Sequence, residues 1–425
     1  MLFMYLIAFL TCIPIVIWAL MEPLGFRFSD FVSTATSIGQ VLGLIGMSLF
    51  SINLILAARF KFLDKYFKGL DKVYINHHKI GAIAFSMLLF HPIFLVVEYI
   101  TISLREASLF FVPFVNMPIT WGIISLVLMI IILAITFYAR IKYHIWKMSH
   151  KFMIVVFVFA ILHTFLISSD ISRNGLLRYY ILSLAFIGLI LSARKALFDK
   201  ILVKKFRYKI NNINNLNENM VEVEMESVKA KMVFESGQFA FFSFISKAVG
   251  TESHPFSIAS SDKEGNLKII FKNLGDFTNN LKNIKQNDEV LIDGPYGYFP
   301  YKKIENKNQI WIAGGIGITP FLGMTQTLES DYNIDLFYSV KEEKESIYQD
   351  QLNEFLERNK NFRYNLWESK NRGYLKAQAI VDMVINYKDR DILLCGPASF
   401  VESLKTQFVA LGVDIRKIHY ENFSL

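Results

Sequence analysis

The sequence predicts a multi-domain membrane protein: a six-helix transmembrane domain, then an antiparallel β-barrel, then an α/β nucleotide-binding domain. Three observations carry that reading. The 425 residues are 53% hydrophobic and only 19% charged, whereas ordinary soluble domains carry about 25% charge. Almost all of the apolar excess lies in the first half of the chain. Beyond it, short alternating strands give way to strands that alternate with helices, the two periodicities of a barrel and of a doubly wound sheet.

The helices come first. Uncharged runs cover Met1–Met21, Phe31–Ala58, Ile80–Val97, Ala107–Ala139, Phe152–Ser169 and Tyr179–Ala193. A bilayer core of ~30 Å needs about 20 apolar residues. The sixth run has 15 residues between Arg178 and Arg194, and arginines at its ends can snorkel to the interface. Six spans follow. The first run lacks a basic leader and a small-residue cleavage site, so it reads as an anchor. Cys12 lies in that run and Cys395 in the soluble half, which leaves no disulfide framework.

Charge orients the spans. Arg59, Lys61, Lys65, Lys68, Lys72 and Lys79 sit between spans two and three. Arg140, Lys142, Lys147 and Lys151 sit between spans four and five, and Arg194, Lys195, Lys200, Lys204 and Lys205 follow span six. The alternate loops hold only Arg27, Arg105, Arg173 and Arg178. Lys and Arg collect on the cytoplasmic side, so both termini and the soluble half are expected in the cytoplasm, in a bacterial inner (plasma) membrane. The net charge of +8 then marks membrane borders, and no nucleic-acid partner is expected.

Ionisable groups inside a membrane are expensive and functional by default. His91 and His163 lie deep in spans three and five, and His77 and His150 lie at the cytoplasmic starts of the same spans. The separations of 14 and 13 residues put each pair roughly 20 Å apart along a helix. Both spans run in the same direction, so His77 can face His150 at one level while His91 faces His163 at another. Two levels of two imidazoles fit the axial ligation of two bis-histidine haem irons. Thirteen residues leave an ideal helix about 140° out of phase, so span five needs a local distortion. His78 competes with His77 for the inner level, and Phe157 and Phe159, between the levels, read as packing before electron path.

In the soluble half, MVEVEMES, QFAFFSFI and LKIIFK are strands of a small barrel. HPFSIAS (His254–Ser260) follows the second of them. In GDFTNNL, Gly275 opens a helix with Thr278 in its first turn, and DGPYGYF (Asp293–Phe299) makes a tight turn. A helix N-terminus presents free N–H groups suited to a pyrophosphate. From QIWIAG onwards strands alternate with helices through DLFYSV, FRYNLW and DILLCG. The turn GGIGITPF, with Gly314, Gly315 and Gly317, is matched by CGPASF at a second strand end, and both belong at the ligand edge of a doubly wound sheet.

These strings resemble the membrane ferric reductase and NADPH oxidase superfamily, closest to compact bacterial NADPH oxidases, and the resemblance covers nearly the whole chain. HHKIG puts His77 four residues before Gly81, which favours His77 over His78; His91, His163 and the His150 of MSHK match the family's two-by-two arrangement. The cytosolic half is similar to ferredoxin-NADP reductase modules. The resemblance implies three domains: a haem domain (1–203), an FAD-binding barrel (204–304) and an NAD(P)H-binding domain (305–425). It places His254 near the flavin phosphates or ribityl chain, Phe256 on the isoalloxazine and Ser257 by its reactive nitrogen, with Pro255 also cofactor-binding and Gly275 and Thr278 on the pyrophosphate. Gly314, Gly315, Gly317, Thr319, Pro320, Cys395 and Gly396 resemble nicotinamide-binding strand ends. Ser339 and Lys341 are placed to meet an adenosine 2′-phosphate, so NADPH is favoured with NADH possible. The terminal ENFSL resembles the family's aromatic tail, with Phe423 covering the flavin face. Phe423, Cys395 and Ser257 are thereby the candidate catalytic residues.

What the resemblance implies is electron flow from cytosolic NADPH through FAD and two haems b to an extracytoplasmic acceptor. Dioxygen, reduced to superoxide, comes first, and a ferric chelate is the alternative. One departure bears on the choice: animal oxidases carry a further histidine four residues beyond the outer span-three ligand, where this chain has Leu95. A non-enzymatic membrane haem protein or proton channel is the rival of another class. With no calcium loop or long cytosolic insertion, constitutive activity without an obligatory protein partner is expected.

Overall fold

The computed structural model describes every residue except 1, 59, 68, 140, 142, 203, 204, 247, 248, 250, 251, 264 and 423–425. The chain forms two compact units, Met1–Leu63 with Lys72–Leu202 and Asp64–Asp71 with Val203–Leu425.

Among the described residues, six helices of the first unit are long and apolar enough to cross a membrane. Spans one to four are Leu2–Met21, Phe31–Ala57, Leu70–Ile102 and Met117–Tyr138. Span two starts where Asp30 accepts hydrogen bonds from the Val32 and Ser33 N–H groups, and span four where Asn116 accepts from Ile119 with Pro118 in the first turn. Both are side-chain caps for N–H groups that lack an intrahelical partner.

Span six runs from Gly175 to Leu202, well beyond its 15-residue uncharged run. Arg178 lies inside the helix, donates to the Phe165 carbonyl at 3.1 Å and stacks over the Phe165 ring at 4.8 Å. The long side chain carries its charge away from the apolar stretch, so the helix need not end there.

Span five is broken. Helices Tyr143–Lys151 and Met153–Leu166 meet at Phe152. There the Phe152 N–H bonds the Ser149 carbonyl and the Val155 N–H bonds the Phe152 carbonyl, i→i+3 links that wind the chain tighter than an α-helix. The break falls between His150 and His163, where the 13-residue spacing demands a change of phase.

The second unit holds two sheets. The first comprises β1 (Phe206–Asn215), β2 (Met220–Ser227), β3 (Phe239–Ile245), β4 (Ser253–Ser257), β5 (Leu267–Lys272) and β6 (Glu289–Tyr296). It is antiparallel throughout, in the order β4-β3-β6-β1-β2-β5. Alternate residues turn inward, so that Val223, Met225, Phe242, Phe244, Ile269, Val290 and Ile292 are fully buried together. Each such large apolar side chain contributes about 1.5–3 kcal/mol by leaving water.

The second sheet comprises β7 (Asn308–Gly314), β8 (Asn333–Val340), β9 (Phe362–Glu368), β10 (Asp391–Gly396) and β11 (Ile418–Asn422). All neighbours are parallel, in the order β11-β10-β7-β8-β9. Helices cover both faces, and β7 and β10 are buried along nearly their whole length, as expected of central strands in such a sheet. The order reverses around β7, which places the carboxyl ends of β7 and β10 at the switch point where these folds bind ligands.

Candidate functional site

The first unit brings the four predicted histidines together in two pairs. The ring centroids of His77 and His150 are 6.2 Å apart at 75°, and those of His91 and His163 are 6.4 Å apart at 71°. Three of the rings are tied from behind by backbone carbonyls. His77 Nδ1 lies 3.1 Å from Asn53 O, His91 Nδ1 2.7 Å from Gly39 O, and His163 Nδ1 2.8 Å from Pro118 O. A carbonyl only accepts, so each Nδ1 carries the proton and each Nε2 keeps a lone pair for a ligand. His150 Nδ1 is buried without a partner among the described residues, and the Trp146 ring stacks on its imidazole at 5.8 Å and 20°.

His78 is exposed, with its ring 5.9 Å from that of His77; the ring facing His150 from span three is His77. Glycines make room for the outer rings. A Cβ on Gly43 would sit 2.8 Å from His91 Nδ1, and one on Gly122 would sit 3.0 Å from His163 Nδ1. Between the levels Phe157 packs edge-on against Phe50 at 4.7 Å and Phe159 stacks on Trp121 at 5.4 Å. Asn53, Gly39, Pro118, Gly43 and Gly122 escaped the sequence reading. Carbonyl acceptors leave no residue-type signature, and the signal available for Gly43 was its place in a Gly39–Gly43–Gly46 stripe along span two.

In the second unit, HPFS forms β4 against β3. The His254 ring lies flat on Phe277 with centroids 3.5 Å apart, and its Nε2 is 3.3 Å from the Glu252 carboxylate. Phe256, beside Pro255, packs against Phe242 and Phe271 at 5.9 and 6.2 Å. Ser257 is buried, and its hydroxyl has no partner among the described residues. Gly275 caps a helix of five residues, Asp276–Asn280. Thr278 Oγ1 folds back over its start, accepting from the Leu274 and Gly275 N–H groups at 3.0 and 3.1 Å.

At the other sheet the ends of β7 and β10 abut. Gly315 has φ +56, and Gly314 and Gly396 flank the Phe400 ring. A Cβ on Gly317 would lie 2.2 Å from the Cys395 carbonyl oxygen. Thr319 is buried and donates to Ile316 O at 2.8 Å, with Pro320 in the first turn of the helix that follows. Ser339 is buried near the end of β8; Lys341, one residue past it, is exposed, and its side chain makes no ion pair among the described residues. The neighbouring Glu342 is held by Lys370 at 3.0 Å. Phe423 lies outside the described residues. Strand β11 leads toward it, with Glu421 paired to Cys395 across the ladder.

Cys395 is fully buried, and burial, reinforced by the Glu421 charge, pushes its thiol well above the ordinary value of 9.0. The folded protein therefore keeps this proton at alkaline pH while the unfolded chain loses it. The stability that follows is complete below pH 9 and is lost as pH rises further. At pH 8, where about a tenth of a thiol with that ordinary value is ionised, Cys395 in the native protein is expected to resist iodoacetamide. Peptide mass mapping of native against denatured protein checks this; rapid native alkylation would contradict the burial.

Three family models match successive stretches of the chain. They are a ferric reductase like transmembrane component over residues 42–161, an FAD-binding domain over 205–299 and an oxidoreductase NAD-binding domain over 311–406. With six helices among the described residues long and apolar enough to cross a membrane, the matches fit a membrane oxidoreductase of flavocytochrome type with FAD- and NAD-binding domains. In this order on one chain, the three matches fit the NADPH oxidase and ferric reductase-like superfamily.

Among curated relatives, the toluate 1,2-dioxygenase electron transfer component of Pseudomonas putida is 25% identical over 228 residues, 51% of this chain and 66% of the relative. Flavohemoprotein A of Dictyostelium discoideum is 25% identical over 203 residues, 46% of this chain and 51% of that protein. The chain thus spans less than two thirds of the length of either. The crystal structure of the flavohaem-like FAD/NAD-binding domain of nitric oxide dioxygenase from Vibrio cholerae aligns at 20% identity, covering 51% of this chain and 98% of that one, with a TM-score of 0.47.

Proposed function

We propose that the protein carries electrons from NADPH on the cytoplasmic side, through FAD and two bis-histidine haems b, to an extracytoplasmic acceptor. Dioxygen, giving superoxide, is the first acceptor. The observation that carries the reading is the spacing of the two histidine pairs. Imidazole–metal bonds run about 2.0 Å and a ring nitrogen lies about 1.1 Å from its centroid, so two rings holding one iron would stand about 6.2 Å apart. The two pairs lie at 6.2 and 6.4 Å. Six-coordinate ligation of this kind supplies single-electron transfer without substrate binding at the metal.

The chain's own residues supply the rest. Asn53, Gly39 and Pro118 fix the tautomer and aim of their histidines, as outer-shell acceptors do. In the second unit, the buried hydroxyl of Ser257, without a partner among the described residues, is the donor for the reactive edge of the flavin, and His254 on Phe277 flanks its ribityl and phosphate side. Pro255 and Phe256 border the ring, and the turn built by Gly275 and Thr278 receives the pyrophosphate. The abutting strand ends, with Gly314, Gly315, Gly317, Thr319, Pro320, Cys395 and Gly396, receive the nicotinamide half. Lys341, a cation near Ser339 with no ion pair among the described residues, favours NADPH over NADH. Phe423 is the proposed cover of the flavin face. The asymmetry of Lys and Arg between alternate loops supports a cytoplasmic position for both termini.

Ferric chelate reduction is the second reading. Leu95 favours it: where the animal oxidases carry a histidine, this apolar side chain lies so close to Gly39 that a Cβ there would meet it at 2.7 Å.

An anaerobic absorption spectrum of the full-length protein with NADPH and FAD, followed by admission of air, tests the scheme. The expected result is full reduction of a Soret-absorbing chromophore, then rapid reoxidation with dismutase-sensitive dye reduction. Reduction followed by slow reoxidation in air and fast reoxidation by a ferric chelate would select the second reading. Absence of a chromophore reducible by NADPH would overturn both in favour of a non-enzymatic membrane protein.

A further inference from the structure

Arg27 was counted in the sequence as one of four basic residues in the outer loops, yet it is 5% exposed. Its Nη1 donates to the Asp170 carboxylate at 2.9 Å and to Gln40 Oε1 at 3.3 Å, and its Nη2 donates to the Trp18 carbonyl at 3.0 Å. The guanidinium lies 3.9 Å over the Trp18 ring, whose Nε1 also donates to Gln40, at 2.9 Å. The ion pair is nearly dry, with side-chain exposures of 3% and 7%. The remaining charges near it are peripheral. Glu22 is 4.0 Å from Arg27, and the exposed Arg173 is 3.7 Å from Asp170 and 3.8 Å from Glu22. Arg27 Nε is buried with no partner among the described residues.

A buried pair of this kind is no bargain for stability, because desolvating two ions offsets most of their attraction, and ionised groups at membrane depth are costly. Its position suggests what it does instead. Gln40 follows Gly39, whose carbonyl holds the Nδ1 of His91 at 2.7 Å. Asp170 lies seven residues beyond His163, in the first turn after span five. The contacts therefore tie the segment of span two that holds His91 to the turn that follows the span carrying His163. They run from His91 to span two, through Gln40 and Arg27 to Asp170, and so to the end of the span that carries His163.

We propose that Arg27 is the positioning residue of the outer histidine level and that its charge sets the redox potential of the group held there. The inference rests on the bis-histidine reading above. A positive charge beside that level favours the reduced, less positive state, and Asp170 moderates it; charge and hydrogen bonding around a haem are established determinants of its potential. Removing either partner must then shift the outer potential in opposite directions. A scaffold role alone would not reverse the sign.

The test is a spectroscopic redox titration of full-length protein carrying Arg27→Gln, Asp170→Asn or both. Arg27→Gln is expected to lower the outer midpoint and Asp170→Asn to raise it. Each shift should change the oxidised-to-reduced ratio at fixed potential at least tenfold, which is 59 mV for one electron. The double variant should return near the wild type, and the inner level should not move. Should Arg27→Gln fail to accumulate, the upward shift in Asp170→Asn carries the test. Wild-type protein without haem would sink the functional reading itself. Two haems in the wild type, with variants that titrate unchanged or shift in the same direction, would overturn this inference alone.

Discussion

Replacing His91 with Ala is expected to remove one of two haem equivalents and leave the other. His91 faces only His163 across its level, at 6.4 Å, and its ring is fixed by Gly39 O on one side and by the room over Gly43 on the other. No described histidine can substitute: the inner pair lies roughly 20 Å away along the helices, at 1.5 Å per residue. Span three itself should persist, because Leu88 and Leu95 still pack on Gly46 and Gly39 of span two, His77 keeps its bond to Asn53 O, and the substitution favours helix. A pyridine haemochrome assay against bound FAD reads the outcome directly, falling from two haems per flavin to one. The remaining level should still be reduced by NADPH, while electron delivery to an acceptor outside the membrane is lost. Retention of two haems per flavin would contradict the ligand assignment, and His77→Ala should give the mirror result, one haem retained but not reduced through the chain.

How much of this was legible before the structure follows from what each feature depends on. Spans one to four announce themselves by hydropathy, since burial in lipid needs only apolar length. Strands β2, β3 and β5 coincide with MVEVEMES, QFAFFSFI and LKIIFK almost to the residue, because alternation registers directly on a half-buried strand. β1 was not singled out: FRYKINNINN is polar over much of its length, and it is strand because β2 and β6 pair with it on both sides. The histidine pairing was legible as spacing, but the turn at Phe152 that reconciles 13 residues with a shared face was not, since winding answers to neighbouring helices. Arg27 reads in sequence as one more loop cation. Its burial depends on Asp170, 143 positions away.

The glycines at the strand ends give the second large effect. Gly317→Ala is expected to destabilise the nucleotide domain by about 3 kcal/mol, the upper part of the range for overpacking, and to raise the NADPH KM at least tenfold. The reason is what the new methyl meets. It would sit 2.2 Å from the Cys395 carbonyl oxygen, 2.6 Å from its carbon and 2.9 Å from Gly396 Cα, all backbone atoms of a strand paired on both sides. No rotamer relieves that clash, so β7 and β10 must separate at the edge proposed to receive the nicotinamide. Gly315→Ala is the control. Nothing lies within 4 Å of its Cβ position, and only its φ of +56 resists the change, at a cost of about 1 kcal/mol. Flavin content and dithionite reduction should be unaffected in both variants, since both glycines lie in the turn that follows β7 and outside the barrel strands. Thermal unfolding of the soluble half and steady-state kinetics with NADPH separate the two cases. If Gly315→Ala costs as much as Gly317→Ala, backbone strain in the turn governs the site. If Gly317→Ala costs far more, the close approach of the two strand ends does, because a clash with paired backbone cannot relax whereas an open left-handed turn can.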